Sequence, residues 1–267
     1  MPETECDNGR MRIVAHTCSN TEIVCALGRA DWLVGVDDHS DYPADVVAGL
    51  PRIGPDLGID VDRIQALSPD LVITSLTVPG HERCLEVIRA AGLPHLVIRP
   101  HSLADVAADI RAIGQALDAE PAAEALAARF DRLFDQASGD GPLVPILVEW
   151  WPKPVIVPGA KSWVNEMLRL AGARNPWEGA DAESLEVDGE QVRDSQPEAV
   201  VMSWCGVDES KYRPHVVRRR AGWADVPAIR NDRIFAIGEA WLGRPGPRLL
   251  EGIGKLRAVV GEVRGER

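Results

Sequence analysis

The sequence predicts an α/β protein with two βα lobes joined by a long helical spine. Short β-rich runs alternate with helical stretches in both halves of the chain, a pattern typical of parallel sheets. Between the halves lies an Ala-, Arg-, Leu- and Asp-rich stretch whose apolar residues recur at helical spacing. We therefore expect four parts: an N-terminal tail (1–11), an N-terminal lobe (12–102), a linking backbone helix (103–138) and a C-terminal lobe (139–267).

Seven short runs rich in apolar and β-branched residues predict the strands of the two lobes. The runs of the first lobe are Arg12–Ala15, Leu33–Val36, Leu71–Ser75 and Leu96–Arg99. Those of the second lobe are Val144–Val148, Ala199–Ser203 and Arg233–Ile237.

Capping and breaking residues predict the helices between these strands. Ser19-Asn20 is expected to cap a helix over Ile23–Leu27, and Ser162 a helix over Trp163–Ala171. Two further helices are expected over Val61–Leu67 and His81–Ala91. The linking helix is expected to be interrupted near Asp118–Pro121, and the chain is expected to leave it at an exit segment, Gly139–Pro142.

Composition excludes some classes of function. The chain has 267 residues and a formal net charge of -12, and its nearest approach to a basic patch is Arg218-Arg219-Arg220. Nucleic acid is therefore not expected as a partner, since binding it requires a basic surface that neutralises phosphates. No apolar run approaches the ~20 residues that span a bilayer, so no transmembrane segment is predicted.

The N-terminus and the cysteines predict a location. The first ten residues are polar and acidic, without the basic and apolar regions of a secretory signal. Five cysteines are an odd number without paired zinc spacing, which suits a reducing compartment. The chain as printed is predicted to be cytoplasmic. A periplasmic or cell-surface location is expected if the printed chain is a trimmed form.

The residues that follow the predicted strands predict the functional site, because ligands of open parallel sheets gather at the carboxyl ends of the strands. Four of the eight tryptophans and three of the six histidines fall there. The segments are His16–Ser19, Asp37–Ser40, Leu76–Pro79, Pro100-His101, Glu149–Pro152, Trp204–Gly206 and Glu239–Leu242.

In order and spacing, a further set of segments resembles the helical-backbone family of metal-chelate and cobalamin binding proteins, the solute-binding components of importers for siderophores, haem and corrinoids. The cobalamin-binding branch is the most similar. The resemblance runs from Arg12 to Val263. Its carriers are Ser19–Ile23, Asp41–Pro43, Leu67–Val72, the linking helix, Pro158-Gly159 before Ser162, Leu170–Gly172 to Asn175, and Arg244–Arg248.

The resemblance implies two Rossmann-like lobes on a rigid helix, the class III periplasmic-binding-protein arrangement, with the ligand held in the interlobe cleft. By position, Trp150 and Trp241 match aromatic places of the pocket, and His39 stands where a tyrosine is usual. Asp62 and Glu190 match the carboxylates through which related proteins dock on the membrane subunit of an ABC importer.

The sequence departs from the family at four further positions. Asp56, Ser75 and Ser184 fall on places that are aromatic in the family, and Cys18 stands where proline is common. These departures bear on which ligand is bound and leave the class unchanged.

The ligand-binding candidates are polar or aromatic residues of the loops after the strands. Flat apolar rings suit a planar macrocycle, and Arg244 could pair with a ligand carboxylate or phosphate or with a surface acid. A histidine could ligate a metal of the ligand or donate to its amide groups. The full set is His16, Cys18, Asp38, His39, Ser75, Trp150, Trp151, Trp204, Trp241 and Arg244.

The hypothesis is therefore a monomeric solute-binding protein and not an enzyme. It has no intrinsic cofactor or metal site and binds a corrinoid, haem or ferric chelate, for an ABC importer or as a cytosolic cofactor carrier. The alternative is a cysteine-dependent hydrolase or transferase. In it Cys18, before a helix N-terminus that would lower its pKa, would act with His16 or His39 as base.

Overall fold

A computed structural model describes residues 9–133, 135 and 141–266 of the chain. The chain divides into two compact units. The first holds the described residues up to Arg99 together with Asp109–Leu126, and the second holds Pro100–Ala108 and the chain from Ala127 onwards. Most of the predicted tail 1–11, the end of the predicted linking helix and the start of the Gly139–Pro142 exit lie outside the described residues.

The first unit is built on a four-stranded parallel sheet in the order β2-β1-β3-β4. Its strands are β1 (Ile13–Ala15), β2 (Leu33–Val36), β3 (Leu71–Ser75) and β4 (His95–Ile98). Its helices are α1 (Cys18–Ala26), α2 (Ala44–Val47), α3 (Val61–Ala66) and α4 (His81–Ala90), with a 3₁₀ turn at Ala30–Trp32. All four strands lie where the sequence predicts them, to within one residue at either end.

Periodic apolar residues account for the core of the first unit. In α4 the buried residues are His81, Cys84, Leu85 and Ile88, the spacing that places side chains on one face of a helix. Ile88 packs in a buried cluster with Val14, Ile53, Ile64 and Val72. The core therefore joins two strands and two helices beneath the edge at which the strands end.

The second unit contains two sheets. The first is parallel, in the order β11-β10-β5-β8, and the second is antiparallel, in the order β6-β7-β9. The strands are β5 (Val144–Glu149), β6 (Trp151–Pro152), β7 (Val155–Pro158), β8 (Ala173–Arg174), β9 (Ser184–Val187), β10 (Ala199–Met202) and β11 (Ile234–Ala236). The sequence predicts β5, β10 and β11 but none of the antiparallel sheet, whose strands have two to four residues each.

The helices of the second unit surround a mixed aliphatic and aromatic core. They are α7 (Val164–Leu170), α8 (Gly189–Ser195), α9 (Pro214–Arg218), α10 (Pro227–Arg230), α11 (Glu239–Leu242) and α12 (Leu249–Arg264), with a 3₁₀ turn at Glu209–Lys211. Trp204, Tyr212 and Trp223 are buried in this core beside Leu147 and Met202. Aromatic side chains from the loops therefore contribute to this core beside aliphatic residues of the strands.

The predicted linking helix consists of two helices, α5 (Leu103–Ala116) and α6 (Glu120–Asp131). Asp118 has a positive φ of 49°, which a right-handed helix cannot contain. Arg29 donates to the carbonyls of Leu117 and Asp118 that this break leaves without helical partners. Pro121 lies in the first turn of α6, where proline is tolerated. The interruption expected near Asp118–Pro121 is thus a full break, and a single continuous helix is not observed.

A glycine in the helix before this break explains how the two helices approach. A Cβ at Gly114 would overlap the Cβ of Ala123. Because Gly114 has no side chain, the backbone of α5 can pack directly against the Ala123 side chain of α6. Among the described residues, no helix has both the length and the apolar character needed to cross a membrane.

Two glycines in α12 give a matched test of close packing. An added Cβ at Gly252 would overlap the Trp241 carbonyl oxygen and lie 2.9 Å from the Met167 Cε, whereas one at exposed Gly254 would meet nothing within 4 Å. Gly252→Ala should destabilise the protein by about 1–3 kcal/mol through overpacking. Gly254→Ala should stabilise it by about 0.5–1 kcal/mol because alanine is the better helix former. Urea unfolding followed by circular dichroism measures both, and stabilisation by both changes would contradict this packing.

Candidate functional site

In the first unit, polar side chains converge where β1, β2 and β3 end. His16 directly follows β1, and its backbone N–H donates to the Ile73 carbonyl of β3 at 2.8 Å. Asp37 and His39 follow β2, and Thr74 lies near the end of β3. Because carboxyl ends of parallel strands share one side of a sheet, these residues come together although they are far apart in sequence.

His16 is fully buried and held at both ring nitrogens. Its Nε2 lies 2.7 Å from the backbone carbonyl oxygen of Asp56, and its Nδ1 lies 2.6 Å from the Thr74 hydroxyl oxygen. A carbonyl can only accept, so Nε2 donates and Nδ1 accepts from the hydroxyl. Burial lowers the pKa of His16 from 6.5 to about 4, so the imidazole is neutral near neutral pH.

Asp56 presents its carboxylate between two further imidazoles. Its Oδ1 lies 3.7 Å from the Nε2 of His39, and its Oδ2 lies 3.7 Å from the Nε2 of His81. His81 is buried, and its Nδ1 accepts from the Thr77 backbone N–H at 3.3 Å, so the ring proton is on Nε2 and faces Asp56. The His81 imidazole, with smaller effects from His39 and His16, lowers the pKa of the Asp56 carboxyl.

The loop after β2 is held by a buried carboxylate and an arginine. Asp37 accepts from the Ser40 hydroxyl and, at 3.0 Å, from the His39 backbone N–H. Burial raises the pKa of the Asp37 carboxyl, and these hydrogen bonds oppose that rise. Arg52 donates to the carbonyl oxygens of Asp37 and Ser40 at 2.8 and 2.7 Å. The loop is therefore braced from inside, which leaves Asp38 and His39 exposed.

The first turn of α1 differs from its predicted form. Thr17, with a φ of 83°, precedes a helix that begins at Cys18, so Ser19 and Asn20 are buried within the helix and do not cap it. Ser75 is buried, and its hydroxyl lies 3.2 Å from the Thr17 hydroxyl and accepts from the Asn20 amide at 2.9 Å. These bonds give Ser75 an internal structural role, and its contact with a ligand stays a prediction.

Apolar side chains are exposed in the same group of loops. Tyr42, Leu57 and Val78 are 48%, 51% and 39% exposed. Tyr42 follows β2 and Val78 follows β3, while Leu57 lies in the turn at 54–58 and comes close to Gly80. We call these three residues, with Asp38, His39 and Asp56, the first-unit edge. It offers apolar surface next to the carboxylates of Asp38 and Asp56.

In the second unit, a buried ion pair lies where β5 ends. Glu149 is fully buried and pairs with both terminal nitrogens of Arg220, whose guanidinium also lies 4.6 Å from the ring centroid of Trp223. The Trp204 Nε1 donates to Glu149 at 2.8 Å, which directs that indole into the core. Trp204 is 6% exposed, so its predicted contact with a ligand stays a prediction.

Trp150 and Trp151, which follow β5, differ in exposure, because adjacent residues of an extended chain point to opposite sides. Trp150 is half-buried, whereas Trp151 in β6 is 42% exposed and donates from its Nε1 to the Lys153 carbonyl at 3.2 Å. Trp151 is thus the more exposed of the two, although Trp150 is the residue that the resemblance places at an aromatic position of the pocket.

Trp241 and Arg244 lie in a region rich in charge. The half-buried ring of Trp241 has the Lys255 Nζ 4.7 Å and the Arg248 guanidinium carbon 5.3 Å from its centroid. The Arg244 Nε lies 3.8 Å from the Glu239 carboxylate, which accepts from the Gly206 N–H at 3.0 Å. Stacking of Trp241 on a ligand would therefore compete with two cation–π contacts.

The two predicted docking acids occupy matching positions in the two units. Asp62 is exposed at the second position of α3, whose N-cap is Asp60. Glu190 is exposed at the second position of α8, whose N-cap is Asp188. Each acid therefore lies in the first turn of a helix that an aspartate side chain caps.

Sequence reasoning missed several residues that build these sites. The sequence indicates Asp56 only as a non-aromatic residue at an aromatic place and Arg220 only as part of a short basic run, and it assigns no site role to His81 or Thr74. The Gly54-Pro55-Asp56-Leu57-Gly58 turn signal was present in the sequence. No predicted strand precedes this turn, so nothing linked it to the edge of the sheet. Within the part of the chain that the structure describes, no group of three His, Cys, Asp or Glu residues is placed to hold a metal ion.

Comparison with known proteins identifies the family. The family described as "Periplasmic binding protein" matches residues 13–240. The chain belongs to this family.

Individual relatives match almost all of the chain. It is 30% identical to the vitamin B12-binding protein of Vibrio parahaemolyticus serotype O3:K6 (strain RIMD 2210633), over 91% of this chain and 86% of that protein. It is 28% identical to the uncharacterised ABC transporter substrate-binding lipoprotein YvrC of Bacillus subtilis (strain 168), over 92% and 78%. The apo periplasmic haem-binding protein RhuT of Roseiflexus sp. RS-1 has a TM-score of 0.82 at 30% identity, over 96% and 99%.

These findings confirm the predicted fold class and the class of function. The protein is a solute-binding protein of the periplasmic binding protein family and not an enzyme. Neither the relatives nor the geometry supports the hydrolase or transferase alternative. The Cys18 thiol donates to the His39 backbone carbonyl at 3.1 Å, and both ring nitrogens of His16 are engaged elsewhere.

The neutral state of His16 predicts a pH dependence of stability. An unfolded chain protonates this imidazole below about pH 6.5, whereas the folded protein does so only near pH 4. The free energy of unfolding should therefore be greatest above pH 6.5 and fall as the pH drops to 4. His16 should account for about 3 kcal/mol of that fall, at roughly 1.4 kcal/mol per pH unit.

Urea unfolding at several pH values measures this loss. His16→Gln should flatten the slope between pH 6.5 and 4, and His215→Gln on the surface of α9 should leave it unchanged. Equal slopes in the parent and His16→Gln would show that His16 is not the group responsible.

Proposed function

We propose that this protein binds a bulky planar metal chelate, a corrinoid or haem, through loops at the carboxyl ends of its strands. The observation that supports this most directly is the first-unit edge, where Tyr42, Leu57 and Val78 are exposed. Exposed apolar residues in loops held by a rigid sheet are typical of ligand-binding surfaces. Relatives over nearly the whole chain are named for binding vitamin B12 and haem.

The chemistry of the first-unit edge matches such ligands. A corrin or porphyrin ring has broad apolar faces, which Leu57, Val78 and the Tyr42 ring can cover. The ring also has a polar periphery, which Asp38, His39 and Asp56 can contact. In the second unit, Trp151 offers an exposed indole near the end of β5.

The ligand itself can be identified in solution. Native mass spectrometry and a visible spectrum of the protein as purified would show a bound corrinoid or haem, since both absorb strongly in the visible range. Titration of the empty protein with cyanocobalamin, haemin and a ferric siderophore, followed by tryptophan fluorescence, would rank the three classes. No binding of any of these would overturn the proposal.

Leu57 provides a matched test of the binding surface. Leu57→Ala should weaken binding of the preferred chelate by about 1–2 kcal/mol, roughly five- to thirtyfold, because apolar area is lost from the contact. Val87→Ala, at a 41% exposed position in the body of α4, should leave the affinity unchanged. Isothermal titration calorimetry measures both. Equal effects of the two substitutions would exclude the first-unit edge as the binding surface.

The proposal extends to delivery of the ligand to the membrane subunit of an ABC importer. A relative is named as the substrate-binding lipoprotein of such a transporter. Asp62 and Glu190, exposed at matching helix positions, are the proposed docking residues. Exposed ion pairs are worth only ~0–1 kcal/mol each, so they would mainly set orientation and association rate.

Uptake measurements test this extension. The double change Asp62→Ala/Glu190→Ala should lower uptake of the bound chelate about two- to tenfold and leave its affinity unchanged. Glu86→Ala, which removes an exposed carboxylate from α4, is the control. Uptake equal to the parent would favour the cytosolic carrier, and a reporter fusion to the native gene product would locate the protein.

A further inference from the structure

We infer that Asp56 selects among chelates by the charge of their periphery. On this inference, which rests on the proposed function, its carboxylate accepts hydrogen bonds from carboxamide N–H groups and repels ligand carboxylates. The preferred ligand is then an amide-bearing corrinoid, and a porphyrin with propionate side chains or a carboxylate siderophore is disfavoured.

The backbone at Asp56 is held from inside the unit, so the carboxylate has a defined position. Its carbonyl oxygen accepts from the His16 Nε2 at 2.7 Å and from the Cys84 thiol at 3.2 Å. The turn that contains it is closed by the Gly58 N–H, which donates to the Pro55 carbonyl at 2.9 Å. At Gly54, with a φ of 98°, a Cβ would come within 2.9 Å of the Gly58 carbonyl oxygen. A carboxylate on such a turn is preorganised for a ligand.

The side chain of Asp56 retains capacity to accept hydrogen bonds. The two distances of 3.7 Å from the Asp56 carboxylate oxygens to the Nε2 atoms of His39 and His81 exceed hydrogen-bond length. The side chain is 32% exposed, next to Leu57 in the same turn. Its oxygens can therefore accept from groups at the rim of a macrocycle whose face covers Leu57.

A second observation concerns the ring of His81. It is 1% exposed, and its Nε2 makes no hydrogen bond within the described structure. That nitrogen carries the ring proton and faces the Asp56 carboxylate from beneath. A buried N–H directed at a carboxylate favours the ionised form of the acid. Asp56 therefore keeps its negative charge at the exposed side of the turn.

The neighbouring loops reinforce this charge. Segments 16–17, 37–43, 54–60 and 76–80, which surround the edge, contain five aspartates and neither lysine nor arginine. The five are Asp37, Asp38, Asp41, Asp56 and Asp60. Arg52, the nearest arginine in sequence, donates to backbone carbonyls of the loop after β2. Asp60 pairs with Arg63 at 3.0 Å and Asp37 is buried, so the negative charge that would repel a ligand carboxylate lies mainly on Asp38 and Asp56.

The chemistry of the candidate ligands differs at the periphery. Corrinoids carry neutral carboxamides, whose N–H groups can donate to a carboxylate, whereas haem carries propionates that can only accept when ionised. Dicyanocobinamide and dicyanocobyrinic acid share one corrin ring and differ in having amides or carboxylates around it. This pair isolates peripheral charge from ring shape.

Calorimetric titration of the full chain with these two corrins and with haemin tests the inference. The parent should bind dicyanocobinamide at least tenfold more tightly than dicyanocobyrinic acid. Asp56→Asn should lower this ratio about tenfold, mainly by improved binding of the carboxylate corrin. Glu86→Gln, the same change of net charge on the surface of α4, should leave the ratio unchanged.

The outcomes separate this inference from the proposed function. Equal affinity of the parent for the two corrins, or a ratio that Asp56→Asn leaves unchanged, would overturn charge selection by Asp56 and leave chelate binding standing. Tighter binding of haemin than of dicyanocobinamide would also overturn it. Failure to bind any of the three probes would overturn both the inference and the proposed function.

Discussion

The arrangement of the first-unit edge depends on one buried imidazole. His16 accepts from the Thr74 hydroxyl of β3 and donates to the carbonyl of Asp56, so it joins two strands to a turn that has no strand of its own. A buried donor and acceptor that are both satisfied rigidify their surroundings, whereas protonation would turn Nδ1 into a donor and deprive the Thr74 hydroxyl of its acceptor. The position of the Asp56 carboxylate, and with it the charge of the edge, follows from this neutral ring.

In the second unit, a buried ion pair positions the loops at the end of a strand, as the neutral His16 does in the first unit. Where β5 ends, Glu149 is buried and pairs with Arg220, and the Trp204 indole completes the set of donors to the carboxylate. A buried charge is tolerated only when it is paired and hydrogen-bonded. Both units therefore place a fully bonded polar residue at the end of a strand and position the neighbouring loops on it. This leaves the exposed side chains of those loops free to vary with the ligand.

Buried residues that hold the loops are thus distinct from exposed residues that can contact a ligand. This distinction explains how one fold can bind different chelates. The parallel sheets and their buried polar residues hold the loops, while exposed residues such as Leu57, Asp56 and Trp151 meet the solvent. At Asp56, where the resemblance implies an aromatic residue, this chain has a carboxylate. Such a change alters the electrostatics of the surface without disturbing the core, since its backbone carbonyl can accept from His16 whatever the side chain.

The sequence by itself determined the α/β class, most of the parallel strands and the family, and it predicts the loops in which a site would lie. These features follow from local patterns: apolar runs, helix breakers and the order of short motifs. Only the tertiary structure decided that the linking segment breaks at Asp118, that Trp204 and Ser75 are internal, and that Asp56 joins the histidines. The physical reason is that burial and hydrogen bonding depend on partners distant in the chain. His16 and Asp56 meet across 40 residues, and no periodicity within either segment encodes that contact.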